Sequence, residues 1–577
     1  MADTSKIVKE FLGDDEFPID WETEQERGLF WVYDDLHCPQ PISPMFFDIG
    51  GWWLTCDHMF RRFGTPFACD WIAKNVNGYV YTAAVPADPD FDLPAMEFGN
   101  LYTPRVPKED LDYVGKIGNY LDAVLPTYGL NFADWWKGRL VPEMKNNLDY
   151  LETKIDCWDE IPLMEWAVIL EDAMDIHDRH WKIHWMMNFS QLAGTLKLQA
   201  VMEEVRGEID TELLGRLQNS TEDRNWDSIE ALWKMKKEVK GDEVLLEAFA
   251  EEGGAGIHAA LETTERGLKF IAERLEPYQR EFGWHAVWSH EFIFPTRFEE
   301  PDPILDVIQG YVESDYDFSS AIKALADDIV AAREELLEGL EGDDLEKMRA
   351  ASEINANMAP LTPDHHFYID QGTNAHLRLV LICIGRKLVE EGVVDVPDDV
   401  IYLKYNELRY LLGDLENFNA RPIVKQRRAE REEAFQTKPP DWIGTATEAQ
   451  LEFPYLSLWG FPDRLYIDHE VTDAVTGLAG SPGVVEGPAR VVMEVADFDQ
   501  VKEGDILVCQ MTNPAWTPLF GLLSGIVTDA GGTVSHSAVM AREFGIPAVV
   551  GCSCATERIK SGDRVSVNGS TGLVEVL

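Results

Sequence analysis

The chain has 577 residues, is 45% hydrophobic and 27% charged, and carries a formal net charge of −53 at neutral pH. This length provides for several domains and a large core, while the charge excludes nucleic acid and anionic membrane surfaces as partners, because both would be repelled. No apolar run approaches a membrane span, Met1-Ala2-Asp3-Thr4-Ser5-Lys6 is not a hydrophobic signal segment, and the eight scattered cysteines fit reduced thiols, so a cytoplasmic location is expected. The acidity is also compatible with a high-salt cytoplasm.

Residues 1 to about 130 are aromatic-rich and irregular. Phe30-Trp31-Val32-Tyr33 reads as a strand that breaks into the proline-rich loop His37-Cys38-Pro39-Gln40-Pro41. His37 in that loop is a candidate binding residue. Gly78-Tyr79-Val80-Tyr81-Thr82 predicts a second strand. From about 130 to 435, Leu, Ile, Met and Trp recur at three- and four-residue spacing between acidic residues, which predicts a mostly helical region. Within it, His177, His180 and His184 fall on one helix face. Three readings stay open for them: metal ligands, pocket groups, or polar contacts between helices. No metal is assigned. Arg297 follows Pro295-Thr296. His365 and His366 precede Asp370, and a base beside a carboxylate is a usable catalytic arrangement. Arg378 and Arg386 lie eight apart, roughly on one helix face, and are candidates for phosphate contacts. Ion pairing with nearby carboxylates is the alternative reading for both.

After the charged helix around Arg427-Arg428 comes Lys438-Pro439-Pro440, a break. The reading is therefore residues 1–435 as a large, mostly helical domain, to which the resemblance given below assigns acceptor binding, 436–474 as a linker or hinge, and 475–577 as a final domain of short strands rich in Gly, Val and Ile. In that last domain Gly525-Ile526-Val527-Thr528 predicts a buried strand, Gly531-Gly532 a turn, and Ser535 the N-cap of a helix whose first turn holds His536. The free N–H groups and positive dipole end there favour negative charge, so a histidine in that place is suited to carry a phosphoryl group.

Gly504-Asp505-Ile506-Leu507-Val508, Thr512-Asn513-Pro514-Ala515-Trp516, the His536 segment and Gly545-Ile546-Pro547-Ala548 occur in an order that closely resembles the mobile phosphohistidine domain of the phosphoenolpyruvate-utilising enzymes. These include pyruvate phosphate dikinase, phosphoenolpyruvate synthase and rifampin phosphotransferase. The resemblance implies a multidomain α+β chain: a large, mainly α-helical substrate-binding domain and a C-terminal swivelling β/β/α domain, with the phosphoryl group on His536 and Gly532, Thr533 and Ser535 around it. Phe282-Gly283-Trp284-His285, Pro295-Thr296-Arg297 and His365-His366-Phe367-Tyr368-Ile369-Asp370 are similar to the substrate-binding part of rifampin phosphotransferase. No nucleotide-binding ATP-grasp segment precedes this region, nor does a phosphoenolpyruvate-binding barrel follow His536. That layout is similar to phenylphosphate synthase and related aryl-phosphate synthases, which phosphorylate phenols as the first step of their breakdown.

The resemblance thus implies a phosphotransferase of dikinase type. A separate ATP-grasp subunit, using ATP with Mg2+ or Mn2+ at its own site, charges His536, and no cofactor is held tightly by this chain. The acceptor is a small aromatic hydroxyl. His365, His366 and Asp370 are the catalytic candidates beside the carrier, with Arg378, Arg386, His37, Arg297, His177, His180 and His184 as binding candidates. Phosphorylation of a natural-product or antibiotic hydroxyl is the runner-up, and a non-catalytic phosphohistidine carrier or sensor is the alternative from another class. A metal-dependent enzyme built on the His177 face is a third.

Overall fold

A computed structural model describes residues 6–58, 68–86, 131–284, 286, 288–451, 456, 461–466, 475–493, 498, 500–512, 516, 519–532, 535–552 and 554–577. The chain divides into two compact units. One comprises Met1–Ser190, Ser289–Ile293 and Tyr368–Ser457; the other comprises Gln191–Trp288, Phe294–Phe367 and Leu458–Leu577.

The first unit holds an antiparallel sheet of five strands: β1 (Ile7–Phe11), β2 (Phe30–Tyr33), β3 (Ala68–Val76), β4 (Tyr79–Pro86) and β5 (Trp442–Thr447). Their order is β1-β5-β2-β4-β3. β3 and β4 form a hairpin closed by Asn77-Gly78, both at positive φ (53° and 91°). Asn-Gly is the preferred pair for a two-residue turn of this hand. Trp31, Tyr33, Ile72, Tyr81 and Ile443 are buried together on the sheet, so the aromatic and β-branched residues that predict β2 and β4 are the ones that pack. β5 falls within the 436–474 range and is hydrogen-bonded between β1 and β2.

The first unit also holds helices. The helix Asn374–Glu390 is buried on almost every side, including Leu377, Val380, Leu381 and Ile384, as expected of a helix that is apolar all round. The helix Leu163–Arg206 presents His177 and His180 to the interior, where they are 1% and 0% exposed. His177 Nε2 lies 3.2 Å from the Gly50 carbonyl. His180 Nδ1 meets Thr373 Oγ1 at 2.7 Å, and Asn147 Nδ2 donates to His180 Nε2 at 3.2 Å. Thr373 in turn donates to the Tyr368 carbonyl. The His180 proton is therefore on Nδ1 and the ring is neutral.

The second unit combines helices with a second sheet. Leu198, Val201, Met202, Leu213, Leu336 and Met348 make one helical core. The sheet is formed by β6 (Val475–Thr476), β7 (Leu478–Ser481), β8 (Val484–Val491), β9 (Ile506–Cys509), β10 (Gly525–Thr528), β11 (Ala548–Val550), β12 (Arg564–Asn568) and β13 (Leu573–Val576). Its order is β6-β13-β12-β8-β9-β10-β11-β7, with β8, β9, β10 and β11 parallel. Every residue of β9, β10 and β11 is buried, the pattern of parallel strands covered on both faces. The chain is thus α+β with more than one domain, and the sequence expectation of a strand, a turn and a helix around His536 is met by β10 and the helix His536–Phe544. Trp226 stacks on Phe544 (centroids 5.1 Å apart, 28° between planes), tying the helical part of this unit to that helix. Among the described residues no helix is long and apolar enough to cross a membrane, and the seven cysteines whose side chains are described are free thiols.

Candidate active site

His536 is the first residue of its helix, after Ser535 in extended conformation (φ −67°, ψ 158°). Ser535 occupies the cap position, but its side chain does not cap. Its backbone N–H instead turns back onto the Gly532 carbonyl, and its hydroxyl is buried with no hydrogen-bond partner among the described residues. The turn before it depends on Gly531, at φ +106°, where a Cβ would come 2.8 Å from Ser535 Oγ. Replacing Gly531 with alanine is expected to destabilise this domain by about 1–3 kcal/mol, read by chemical denaturation. Gly532 lies buried in the same turn; Thr533, expected beside it, is outside the described residues.

Two parallel strands bring the partners of His536 to it. β9 and β10 run in register, Val508 opposite Val527 and Cys509 opposite Thr528. Beyond their ends the segments stay joined, Asp529 N–H to the Cys509 carbonyl and Ala530 N–H to the Gln510 carbonyl. Thr512, three residues past β9, therefore meets the helix start. Its hydroxyl is 2.9 Å from His536 Nδ1 and 2.8 Å from Ser537 Oγ, and its N–H donates to Ser537 Oγ at 3.1 Å. When Thr512 accepts from Nδ1 and donates to Ser537, Nε2 of His536 is the basic atom. Phe520 and His366 meet the imidazole edge-on, with centroids 5.9 and 6.4 Å away.

Of the predicted pair His365 and His366, His366 thus lies beside the carrier. His366 is half-buried, His365 is buried, and their rings lie 4.0 Å apart. His365 Nδ1 is 3.2 Å from the Leu361 carbonyl. Arg297 is buried beside Phe498, 6.0 Å from the ring centre, and desolvation lowers its pKa. Arg542 holds the helix, donating to the Ala538 carbonyl and Gln218.

The other candidates belong to the first unit. Asp370 lies 3.6 Å from His184 Nδ1. Arg378 pairs with Asp398 at 2.9 Å and donates to the Phe292 carbonyl, and Arg386 covers the Trp158 ring at 5.0 Å. His177 and His180 make the interhelical polar contacts described above. His37 Nδ1 meets Asp34 Oδ1 at 2.7 Å, while Asp34 Oδ2 accepts from Trp52 Nε1 at 2.8 Å. Burial disfavours charge on both groups, but the attraction between them prevails: Asp34 is held below the usual carboxylate range and the His37 pKa is raised. Sequence reasoning missed Phe520 and Ser537 beside His536 in the second unit, and Asp34, Trp52 and His290 beside His37 in the first. Only Asp34 left a trace, three residues ahead of His37 in a turn.

Comparison with known proteins matches two stretches of the chain to families. Residues 501–572 match the mobile domain of the PEP-utilising enzymes, and residues 183–358 match the fourth domain of rifampicin phosphotransferase. The chain is similar to an uncharacterised phosphotransferase of Bacillus subtilis, with 32% identity over 401 residues covering 68% of this chain and 47% of that protein. It is similar to rifampicin phosphotransferase of Bacillus cereus, at 28% identity over 54% of this chain and 35% of the relative. It also resembles part of chondramide synthase from Chondromyces crocatus, at 25% identity over 97% of this chain but 14% of that protein. The chain therefore spans about half or less of the length of these relatives.

Proposed function

We propose that this chain, a member of the PEP-utilising enzymes, is a phosphotransferase that carries a phosphoryl group on His536 and gives it to the hydroxyl of a small aromatic acceptor. The observation that carries this reading is the placement of His536 at the start of a helix with Nδ1 on Thr512. The helix N-terminus offers N–H groups and a favourable field to the phosphate, and Ser535 adds a buried hydroxyl next to it. His366, edge-on to the carrier, offsets the charge of the transferring group when protonated.

A separate ATP-grasp subunit supplies the phosphoryl group, with ATP and Mg2+ or Mn2+ at that subunit's nucleotide site. The hinge that lets the carrier move between its donor and its acceptor lies in the part of the 436–474 range beyond β5. A natural-product hydroxyl is the second reading of the acceptor, favoured by the similarity to rifampicin phosphotransferases.

The test is labelled ATP with a candidate ATP-grasp partner and mapping of the label. Acid-labile label on His536 that disappears when phenol is added supports both carrier and acceptor class. Label that leaves only on adding a natural-product alcohol moves the acceptor to the second reading. Absence of label with every partner tried removes the carrier role.

A further inference from the structure

The first unit contains a cavity of about 440 Å³ that shares no residue with the surroundings of His536. Its size is within the range of small-ligand sites, about 300–1,000 Å³. Three pieces of chain wall it: the proline-rich loop at 41–44, the turn of the β3–β4 hairpin, and the C-terminal half of the helix Ala420–Ala434. The walls are bonded to one another. Ile42 N–H donates to the Gly78 carbonyl at 3.0 Å, and Arg431 Nε donates to the Pro41 carbonyl at 3.0 Å. The Tyr79 hydroxyl lies 3.0 Å from the carbonyls of both Ala434 and Thr437. A site held in this way is formed before its ligand arrives.

Helical spacing brings Arg427, Arg431 and Ala434 to the cavity, and the two arginines differ. Arg427 is engaged: Nη1 and Nη2 donate to the two oxygens of Glu407 at 2.5 and 2.8 Å, and Nη1 also to the Tyr402 carbonyl. Arg431 is held in place but not neutralised. Its Nε bonds Pro41 and its guanidinium covers the Phe435 ring at 4.8 Å, while Nη1 and Nη2 have no partner among the described residues. In a chain with 103 acidic and 50 basic residues, a half-buried guanidinium without a carboxylate stands out. The buried Glu291 does not fill that place. It accepts from Ser43 N–H, Ser43 Oγ and Ile293 N–H at 2.5, 2.6 and 2.9 Å, and burial raises its pKa in spite of Arg431.

We propose that this cavity binds a small organic monocarboxylate. Its carboxylate takes Nη1 and Nη2 of Arg431 as a forked pair, and its apolar body lies against Pro41, Ile42 and Pro44. A guanidinium matches a carboxylate with two parallel N–H donors, and engagement of Nε leaves the two Nη groups for an end-on pair. Glu430 and Glu433 line the same cavity and are exposed, so a second negative charge on the ligand is repelled. A phosphate monoester, close to doubly charged at neutral pH, is disfavoured on that ground. The assignment does not depend on phosphoryl transfer.

The probe is 4-fluorobenzoate, titrated into the full chain and followed by 19F NMR, with 4-fluorobenzyl alcohol and 4-fluorophenyl phosphate as the uncharged and doubly charged comparisons. The expected result is saturable binding of 4-fluorobenzoate and at least about tenfold weaker binding of both comparisons. Arg431→Gln should weaken 4-fluorobenzoate about 10- to 100-fold, and Arg431→Lys should restore only part of the loss, because it keeps the charge without the fork. Glu433→Gln, at an exposed position whose carboxylate has no partner among the described residues, should tighten binding about two- to fivefold. Urea unfolding midpoints check that each variant is folded. Absence of saturable binding, equal affinity for either comparison compound, or an affinity unchanged in Arg431→Gln overturns the proposal. Should Arg431→Gln fail to fold, an unchanged affinity in Glu433→Gln overturns it instead.

Discussion

Replacing His536 with alanine is expected to abolish acid-labile phosphorylation and to reduce transfer by about 10⁶-fold, the order of loss when a covalent nucleophile is deleted. The fold should tolerate the change. His536 is partly exposed at the first position of its helix, and its side chain makes a hydrogen bond to Thr512, so the stability cost is about 1 kcal/mol. His536→Asn sharpens the comparison because it keeps a polar group near Thr512 and has no nucleophilic nitrogen. Label incorporation, with circular dichroism and denaturant midpoints as controls, checks this. Retained turnover in either variant sinks the central assignment.

The second large effect is acid destabilisation through His177 and His180. Burial lowers His177 to about 4, only partly offset by the bond to the Gly50 carbonyl. Burial first, then the neighbouring His177, His376 and Arg179, lowers His180 to about 3. The chemistry agrees: a proton added to His180 Nε2 would face the Asn147 amide donor. Both groups have folded pKa values below the unfolded value of about 6.5. Their neutral forms belong to the fold, so the stability they contribute is complete above about pH 6.5 and is lost as the pH falls toward 4 and then 3. At pH 5 each costs about 2 kcal/mol relative to pH 7, and because the two rings interact the costs do not simply add. Urea unfolding at pH 7 and pH 5, at fixed ionic strength, measures the slope. His177→Gln and His180→Gln should each flatten it, and an unchanged slope in both contradicts the assignment.

The carrier region was the most legible part of the sequence, because its signals are local. A short strand of glycine and β-branched residues, a glycine pair and a residue at the cap position specify β10, the turn and the helix within about twenty positions. The strands β2 and β4 were legible for the same reason. β5 was not, since it pairs with β2 across some four hundred residues, and nothing in its own six residues states that partner. The histidines of the long helix show the same division. Spacing placed His177, His180 and His184 on one helix, but their partners Gly50, Thr373 and Asp370 come from distant segments. The eighteen tryptophans could together be read as lining a pocket for an aromatic ring, while any one of them read better as core. Which tryptophans meet, as Trp52 and Trp185 do across well over a hundred residues, is a property of tertiary structure alone.

The meeting of Thr512 and His536 follows from how β9 and β10 lie side by side, not from either loop by itself. A slip of one residue between these strands would carry Thr512 about 3.3 Å along the sheet, beyond reach of the imidazole. A chain in which β9 and β10 have not yet paired therefore lacks the hydroxyl that fixes the tautomer of its carrier histidine, however much else has folded. Under the function proposed above, loading of His536 reports that the sheet has closed: the chemical state of one side chain becomes a record of the maturation of its domain, and immature copies stay out of the phosphoryl traffic without any separate means of sorting them.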